Sequence, residues 1–229
     1  MICDNLNRIR AQIRESAERC GRDPKGVKLV AVSKHMPVDA IAEAYKCGQL
    51  IFGENYLQDA KEKIEQIDNS FQWHFIGHLQ SNKARTAAEL FQVIETVDRL
   101  KIARSLNRYA GELNKTIEVL IQVNVGREPQ KSGVLPDKAK RLIEDMRPLA
   151  NLKVRGLMTM PPDGGEPEAS RPRFRALKQL SVQLADEGLF ENNDSVELSM
   201  GMSGDFTVAI EEGATLVRVG TAIFGPRPN

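Results

Sequence analysis

Lys34 closes an apolar run, Val27-Lys-Leu-Val-Ala-Val-Ser33, and a proline at position 37 opens a helical pattern just after it. An amine there either sits at the edge of a core or snorkels into solvent on its flexible stem. At a core edge, burial lowers an ammonium pKa, and a neutral amine condenses with an aldehyde. Much later the chain offers Ser199-Met-Gly-Met-Ser203 and Arg218-Val-Gly220-Thr221. Their backbone N–H groups, hydroxyls and guanidinium suit a phosphate and an aromatic nitrogen. Aldehyde, phosphate and pyridine nitrogen together describe pyridoxal 5'-phosphate, the cofactor these residues predict.

Each of these residues also has a plainer reading. The 199–203 loop leads into a helical pattern near Phe206. Ser203 or Asp205 therefore serves as an N-cap as readily as Ser203 serves a phosphate. Arg218 lies inside the apolar strand Leu216-Val-Arg-Val219 and shares a face with Leu216, while Val217 and Val219 point the other way. A buried guanidinium needs a partner, either a pyridine nitrogen or a core carboxylate. His78 lies past a strand end, where a ligand role is open, whereas His74 within that strand is structural. Three histidines and scattered acids form no metal-ligand spacing. Of the three cysteines, Cys3 and Cys20 fall at core-compatible positions of the first helix and are expected as buried thiols.

The elements that must position these groups alternate. The first helix carries Leu6, Ile9, Ile13, Ala17 and Cys20 inward, with Asp4 able to cap it and Gly21 to end it. Strands are expected at 27–33, 50–53, 71–76, 91–97, 117–125, 152–158, 196–198 and 216–219. Helical patterns lie between them: Ile41, Ala42 and Tyr45 inward on one; Leu57, Ala60, Ile64 and Ile67 on the next. Others run from Ser81 to Leu90, from a capping Asp98 through Leu113, over 136–146, across Phe174 to Leu184, and over 206–212. Eight strands separated by helices imply parallel pairing through right-handed crossovers. The expected fold is α/β, a (β/α)8 TIM barrel with an extra N-terminal helix, one domain over 1–229. The runner-up, an open doubly wound sheet, usually has fewer strands and a Gly-rich first turn. Neither G-x-G-x-x-G nor a Walker loop is present. One stretch, 161–173, is read as a flexible loop.

In such a barrel the loops after the strands share one mouth, and phosphate sites favour those after strands seven and eight. Lys34, Glu54-Asn55, Gly77-His78, the 199–203 loop and Gly220-Thr221 would meet there. Bulk composition gives no competing signal. Thirty-two basic residues oppose thirty-one acidic ones, a net charge of +1, so nothing points to nucleic acid or a charged membrane surface. With no apolar leader and no long apolar stretch, the cytoplasm is the expected compartment.

The longer motifs carry a resemblance. Ala31-Val-Ser-Lys34, Phe52-Gly-Glu-Asn-Tyr56, His74-Phe-Ile-Gly-His-Leu-Gln-Ser-Asn-Lys83 and Lys131-Ser-Gly133 occur in order. Gly156-Leu-Met-Thr-Met160, Leu198-Ser-Met-Gly-Met-Ser203 and Val217-Arg-Val-Gly-Thr-Ala-Ile-Phe-Gly225 follow. Over nearly its whole length the chain resembles the pyridoxal phosphate homeostasis proteins, single-domain relatives of the alanine racemase barrel. The resemblance implies an internal aldimine on Lys34. It implies phosphate contacts from Ser199, the Met200 amide, Ser203, Gly220 and Thr221, with Arg218 facing the pyridine nitrogen and Asn55 lining the pocket. One departure is visible. The family often reads Ser-Lys-Thr-Lys where this chain has Ser33-Lys-His-Met36, so a transfer role attributed to the second lysine is in doubt.

The expected function is therefore a reversible carrier of pyridoxal phosphate, with apo forms of pyridoxal-phosphate enzymes as candidate recipients. An arginine at the ring nitrogen disfavours its protonation and weakens the ring as an electron sink. A racemase of this fold adds a second domain and a tyrosine base from its partner. No such domain is expected beyond Gly225, and two of the three tyrosines, Tyr45 and Tyr109, are expected on helices. Without that domain a monomer is expected. The rivals are an amino-acid enzyme using the same linkage and a cofactor-free Schiff-base aldolase on sugar phosphates.

Overall fold

Apolar strands followed by amphipathic helices can bury both sheet faces only if the sheet closes or is covered on each side. Here it closes. The computed structural model describes residues 1–67, 71–160 and 165–226. Strands β1 (Lys28–Val32), β2 (Ile51–Glu54), β3 (Gln72–Phe75), β4 (Val93–Val97), β5 (Ile117–Gln122), β6 (Leu152–Met158), β7 (Glu197–Ser199) and β8 (Leu216–Val219) form one parallel barrel in sequence order. β8 returns to β1 in the register Lys28 to Leu216 and Val30 to Arg218. The (β/α)8 architecture is the one the alternation predicts.

Helix α1 (Ile2–Arg19) precedes the barrel. Then come α2 (Val38–Lys46), α3 (Leu57–Ile64), α4 (Ala84–Leu90), α5 (Leu100–Glu112), α6 (Pro136–Met146), α7 (Arg171–Asp186), α8 (Phe206–Glu211) and α9 (Thr221–Phe224). Their inward stripes and the outward strand residues form one continuous apolar layer containing Ala31, Phe52, Phe75, Ile94, Val217 and Val219. Inside the barrel a smaller cluster, Val30, Leu120, Met158 and Leu216, fills the lower part. Alternation along β8 therefore puts Leu216 inside and Val217 and Val219 outside, as the pattern predicts, and Arg218 inside above Leu216.

α1 packs against α8, α9 and α2, over the seam where β8 meets β1. Its Asn5 Nδ2 donates to Ile223 O at 2.9 Å, tying it to α9. α9, one turn long, is too short for periodicity to reveal. Several local expectations are corrected. Cys3 is joined to Cys47 by a disulfide, with Cα atoms 5.5 Å apart, because the start of α1 lies beside the end of α2. Cys20 ends α1 on the exposed side, its thiol donating to carbonyls of the last turn. Tyr45 is partly exposed, its ring tilted against Phe71. Arg99, not Asp98, takes the N-cap position of α5, with Asp98 paired to it. Ser81 opens a 3-10 turn before α4. Part of the stretch read as flexible, 161–164, lies outside the described residues, and Pro167–Ser170 forms a 3-10 turn.

Candidate functional site

At the C-terminal end of the barrel a cavity of about 300 Å³ opens. Its wall includes Val32, Lys34, Asn55, Ile76, Ser203, Arg218, Gly220 and Thr221. Six of the eight predicted site residues therefore meet, from the ends of β1, β2, β7 and β8. Lys34 is half-buried in the turn after β1. Asn55 follows β2, and its Oδ1 is buried with no hydrogen-bond partner among the described residues. Gly77 allows that placement, since a Cβ there would lie 2.1 Å from Asn55 O.

Ser203 and Gly220 are joined directly, the Gly220 N–H donating to Ser203 Oγ at 3.4 Å. The chain reaches Ser203 through Gly201, whose φ of +92° belongs to glycine and whose Cβ would strike Ala209 and Phe206. Asp205 also stands on the wall, at the N-cap of α8. One of its oxygens accepts from the Met202 N–H at 2.7 Å.

Ser199 and Met200, the other two residues expected at the phosphate, are absent from the described cavity wall. Met200 is fully buried in the outer apolar layer, and its N–H donates to Leu216 O at 3.1 Å within the β7–β8 pairing. Ser199 is also fully buried, and its hydroxyl is already engaged. The ladder accounts for Met200, since a residue still paired there gives its amide to it, and the buried polar layer below accounts for Ser199. His78 is exposed and meets Ser132 Oγ at 3.2 Å, away from the cavity wall.

Below the cavity floor lies a buried polar layer that joins four strands. Arg218 donates through Nη1 to Ser199 Oγ and through Nη2 to Thr159 O at 2.9 Å. Ser199 in turn donates to Glu95 Oε2, which lies 3.8 Å from Arg218 Nη1. His74 Nδ1 donates to Glu95 Oε1 at 2.6 Å. The core-carboxylate reading of Arg218 is therefore correct, and the guanidinium still reaches the cavity wall. Burial pushes the Glu95 carboxyl up, but His74, Arg218 and Ser199 outweigh it and hold it below the usual range. Burial lowers Arg218 against the opposing pull of Glu95 and Asp205. In the sequence the one signal for Glu95 is a lone carboxylate within the apolar run Val93-Ile-Glu-Thr-Val97.

A second buried group sits outside the barrel wall, between β1, β2 and α3. Lys63 Nζ donates to Glu54 Oε1, Asp59 Oδ2 and Ser33 O, each at 2.8 Å, and is 4% exposed, so all three ammonium protons have partners. Ser33 Oγ donates to the same Glu54 oxygen at 2.7 Å. Burial raises the Glu54 carboxyl, and Lys63 and Ser33 offset only part of that. In the sequence Lys63 reads as one more surface lysine in Lys61-Glu-Lys63.

The match to known proteins covers this architecture end to end. The family model for the alanine racemase N-terminal domain matches residues 5–228. The pyridoxal phosphate homeostasis protein of Vibrio alginolyticus is 47% identical, over 99% of this chain and 97% of its own. The chain belongs to the pyridoxal phosphate homeostasis protein family. PipY of Synechococcus elongatus, solved with pyridoxal phosphate bound, superposes with a TM-score of 0.84 at 35% identity, covering 98% of this chain and all of that one. Alanine racemase of Clostridium difficile shares the fold, with a TM-score of 0.73 at 17% identity, and this chain covers 57% of it. Relatives in this family are thus named for homeostasis of the cofactor rather than for a reaction. Among the described residues no helix is long and apolar enough to cross a membrane.

Proposed function

We propose that this protein binds pyridoxal 5'-phosphate at the barrel mouth, holds it covalently and reversibly on Lys34, and buffers or delivers it in the cytoplasm as a monomer. The observation that carries the reading is the single cavity joining Lys34, Asn55, Arg218 and the Ser203 and Gly220-Thr221 loops. The wall fits the group. Asn55 Oδ1 is buried and in want of a donor, and Gly220 lies so close to Val32 that a Cβ would begin to crowd it. The likeness to PipY with its cofactor supports the same assignment.

When bound, the cofactor supplies an electrophilic aldehyde carbon. Lys34 would hold the group through its amine, and the aldehyde would make that hold covalent and reversible by loss and return of water. Ser203, Gly220 and Thr221 offer hydroxyls and a backbone N–H to the phosphate. Arg218, held charged by Glu95, would face the ring nitrogen with its guanidinium and disfavour a proton there. Asn55 orients the ring from the side. Apo forms of pyridoxal-phosphate enzymes are the proposed recipients.

Carrier is preferred to enzyme for two reasons. The cationic partner at the ring nitrogen opposes carbanion chemistry. No tyrosine stands among the described residues of the cavity wall, Tyr56 instead stacking on His35 with ring centroids 5.0 Å apart. To separate the two, loaded protein is incubated with amino acids in deuterated water, and in parallel with an apo-aminotransferase. The reading expects no sustained α-hydrogen exchange and expects activation of the recipient. Repeated exchange or racemisation by purified protein would replace it with the enzyme reading.

A further inference from the structure

We propose that Lys63 and Asp59, on α3 outside the barrel, are positioning residues that fix the backbone on both sides of Lys34. This rests on the proposed covalent role of Lys34. Ser33 O, immediately before that lysine, accepts from Lys63 Nζ at 2.8 Å. The His35 N–H, immediately after it, donates to Asp59 Oδ2 at 3.0 Å. Lys63 and Asp59 are themselves paired at 2.8 Å, four residues apart on one helical face. The peptide groups flanking Lys34 therefore close a ring through a single ion pair.

The turn needs such a hold. His35 has a φ of +62°, a left-handed conformation unfavourable for an L-residue with a Cβ. The His35 ring is exposed and leans on exposed Tyr56, so side-chain packing supplies little restraint. On the other flank Ser33 is locked completely: its N–H donates to Gly53 O, its hydroxyl to Glu54, and its carbonyl accepts from Lys63 and the Met36 N–H. Lys34 alone points from this frame to the cavity wall. Its stem has several rotatable bonds, so the reach of Nζ is set by where the Cα is pinned. Reacting atoms must come within about 3–3.5 Å, and a displacement of about 1 Å can slow a reaction about 100-fold.

Neither residue lines the cavity, and that separates positioning from binding. A merely structural role would weaken every ligand of the mouth alike. The clamp should act only on the condensation. The test compares pyridoxal 5'-phosphate with pyridoxine 5'-phosphate, which carries an alcohol in place of the aldehyde and cannot condense. Wild type, Asp59→Ala, Asp59→Asn and Lys63→Met are titrated with both, and adducts are trapped with borohydride and mapped by mass spectrometry.

For Asp59→Ala we expect trapping about 10- to 100-fold slower, with pyridoxine phosphate affinity changed less than about 3-fold. Asp59→Asn keeps an acceptor oxygen and should recover most of the rate. Lys63→Met should follow Asp59→Ala wherever circular dichroism shows it folded. Parallel loss of both ligands in Asp59→Ala, or an unchanged trapping rate, would overturn the clamp while leaving the Lys34 linkage standing. Absence of any adduct on wild-type Lys34 would overturn the linkage and this inference together.

Discussion

Two buried charged groups flank the mouth of this barrel, and they are built to opposite plans. The inner one, His74, Glu95, Ser199 and Arg218, joins side chains across the barrel interior and ends on a guanidinium at the cavity wall. The outer one, Ser33, Glu54, Asp59 and Lys63, ties strands to a helix and ends on backbone atoms beside Lys34. The inner group presents a charge to the site, and the outer presents geometry. Their carboxylates differ accordingly. Glu95, bonded to His74 and the Ser199 hydroxyl and close to the Arg218 guanidinium, is held below the ordinary range, whereas Glu54 has one buried cation and remains raised, its Oε2 without a hydrogen-bond partner among the described residues.

The largest effect should separate the two groups by what remains after one cation is lost. Lys63→Met leaves Glu54 buried with only the Ser33 hydroxyl, and we expect a loss of about 3–5 kcal/mol in urea unfolding. Arg218→Leu leaves Glu95 with hydrogen bonds from both His74 and Ser199, and the expected loss is about 2–3 kcal/mol. The reverse order would show that the inner group, not the outer, is the main support of this end of the barrel.

A smaller contrast lies in acid. Glu95 is depressed when folded, so it contributes stability above the unfolded carboxyl value, about 4.3, and loses it as pH falls through the folded value. Glu54 is raised, so its contribution is greatest below that same value and fades as pH rises through the folded one. The stability penalty of Glu95→Gln should therefore shrink on acidification. That of Glu54→Gln should shrink on going from pH 4 toward neutrality. Urea midpoints for both variants across that range check the opposite slopes, and parallel slopes would erase the distinction.

The smallest effect concerns His35. If Asp59 grips the backbone N–H rather than the ring, glycine keeps the bond and relieves the positive φ. His35→Gly should then shift stability by less than about 1 kcal/mol, read from the same unfolding curves. A larger loss would place the hold in the His35–Tyr56 contact.

The comparison also explains what could be read from the chain. β6 at Leu152–Met158 and α6 at Pro136–Met146 coincide with their patterns, since each is a clean run between strong turn or cap signals. The inward face of Arg218 followed from the two-residue period of β8, and Lys34 from its place at a strand end. The surroundings of Ser199 and Met200 were not legible, because one residue of strand length decides whether an amide serves the ladder or the loop. Lys63 was masked by its exposed, charged neighbours Lys61 and Glu62, although it stands three residues after inward Ala60. Only tertiary placement shows that it turns inward. The Cys3–Cys47 pairing was hidden for a similar reason, since it depends on which helix α1 lies beside.

Absorbance from 300 to 500 nm, with pyridoxal phosphate added to wild type and to Lys34→Ala, tests the covalent assignment most directly. The account predicts a band near 420 nm, about where a protonated lysine linkage to this cofactor absorbs, in wild type and its absence in the variant. An identical band in both would move the linkage to another lysine. No band in either would remove the covalent carrier and leave a cofactor-free aldolase on phosphorylated sugars as the reading to pursue.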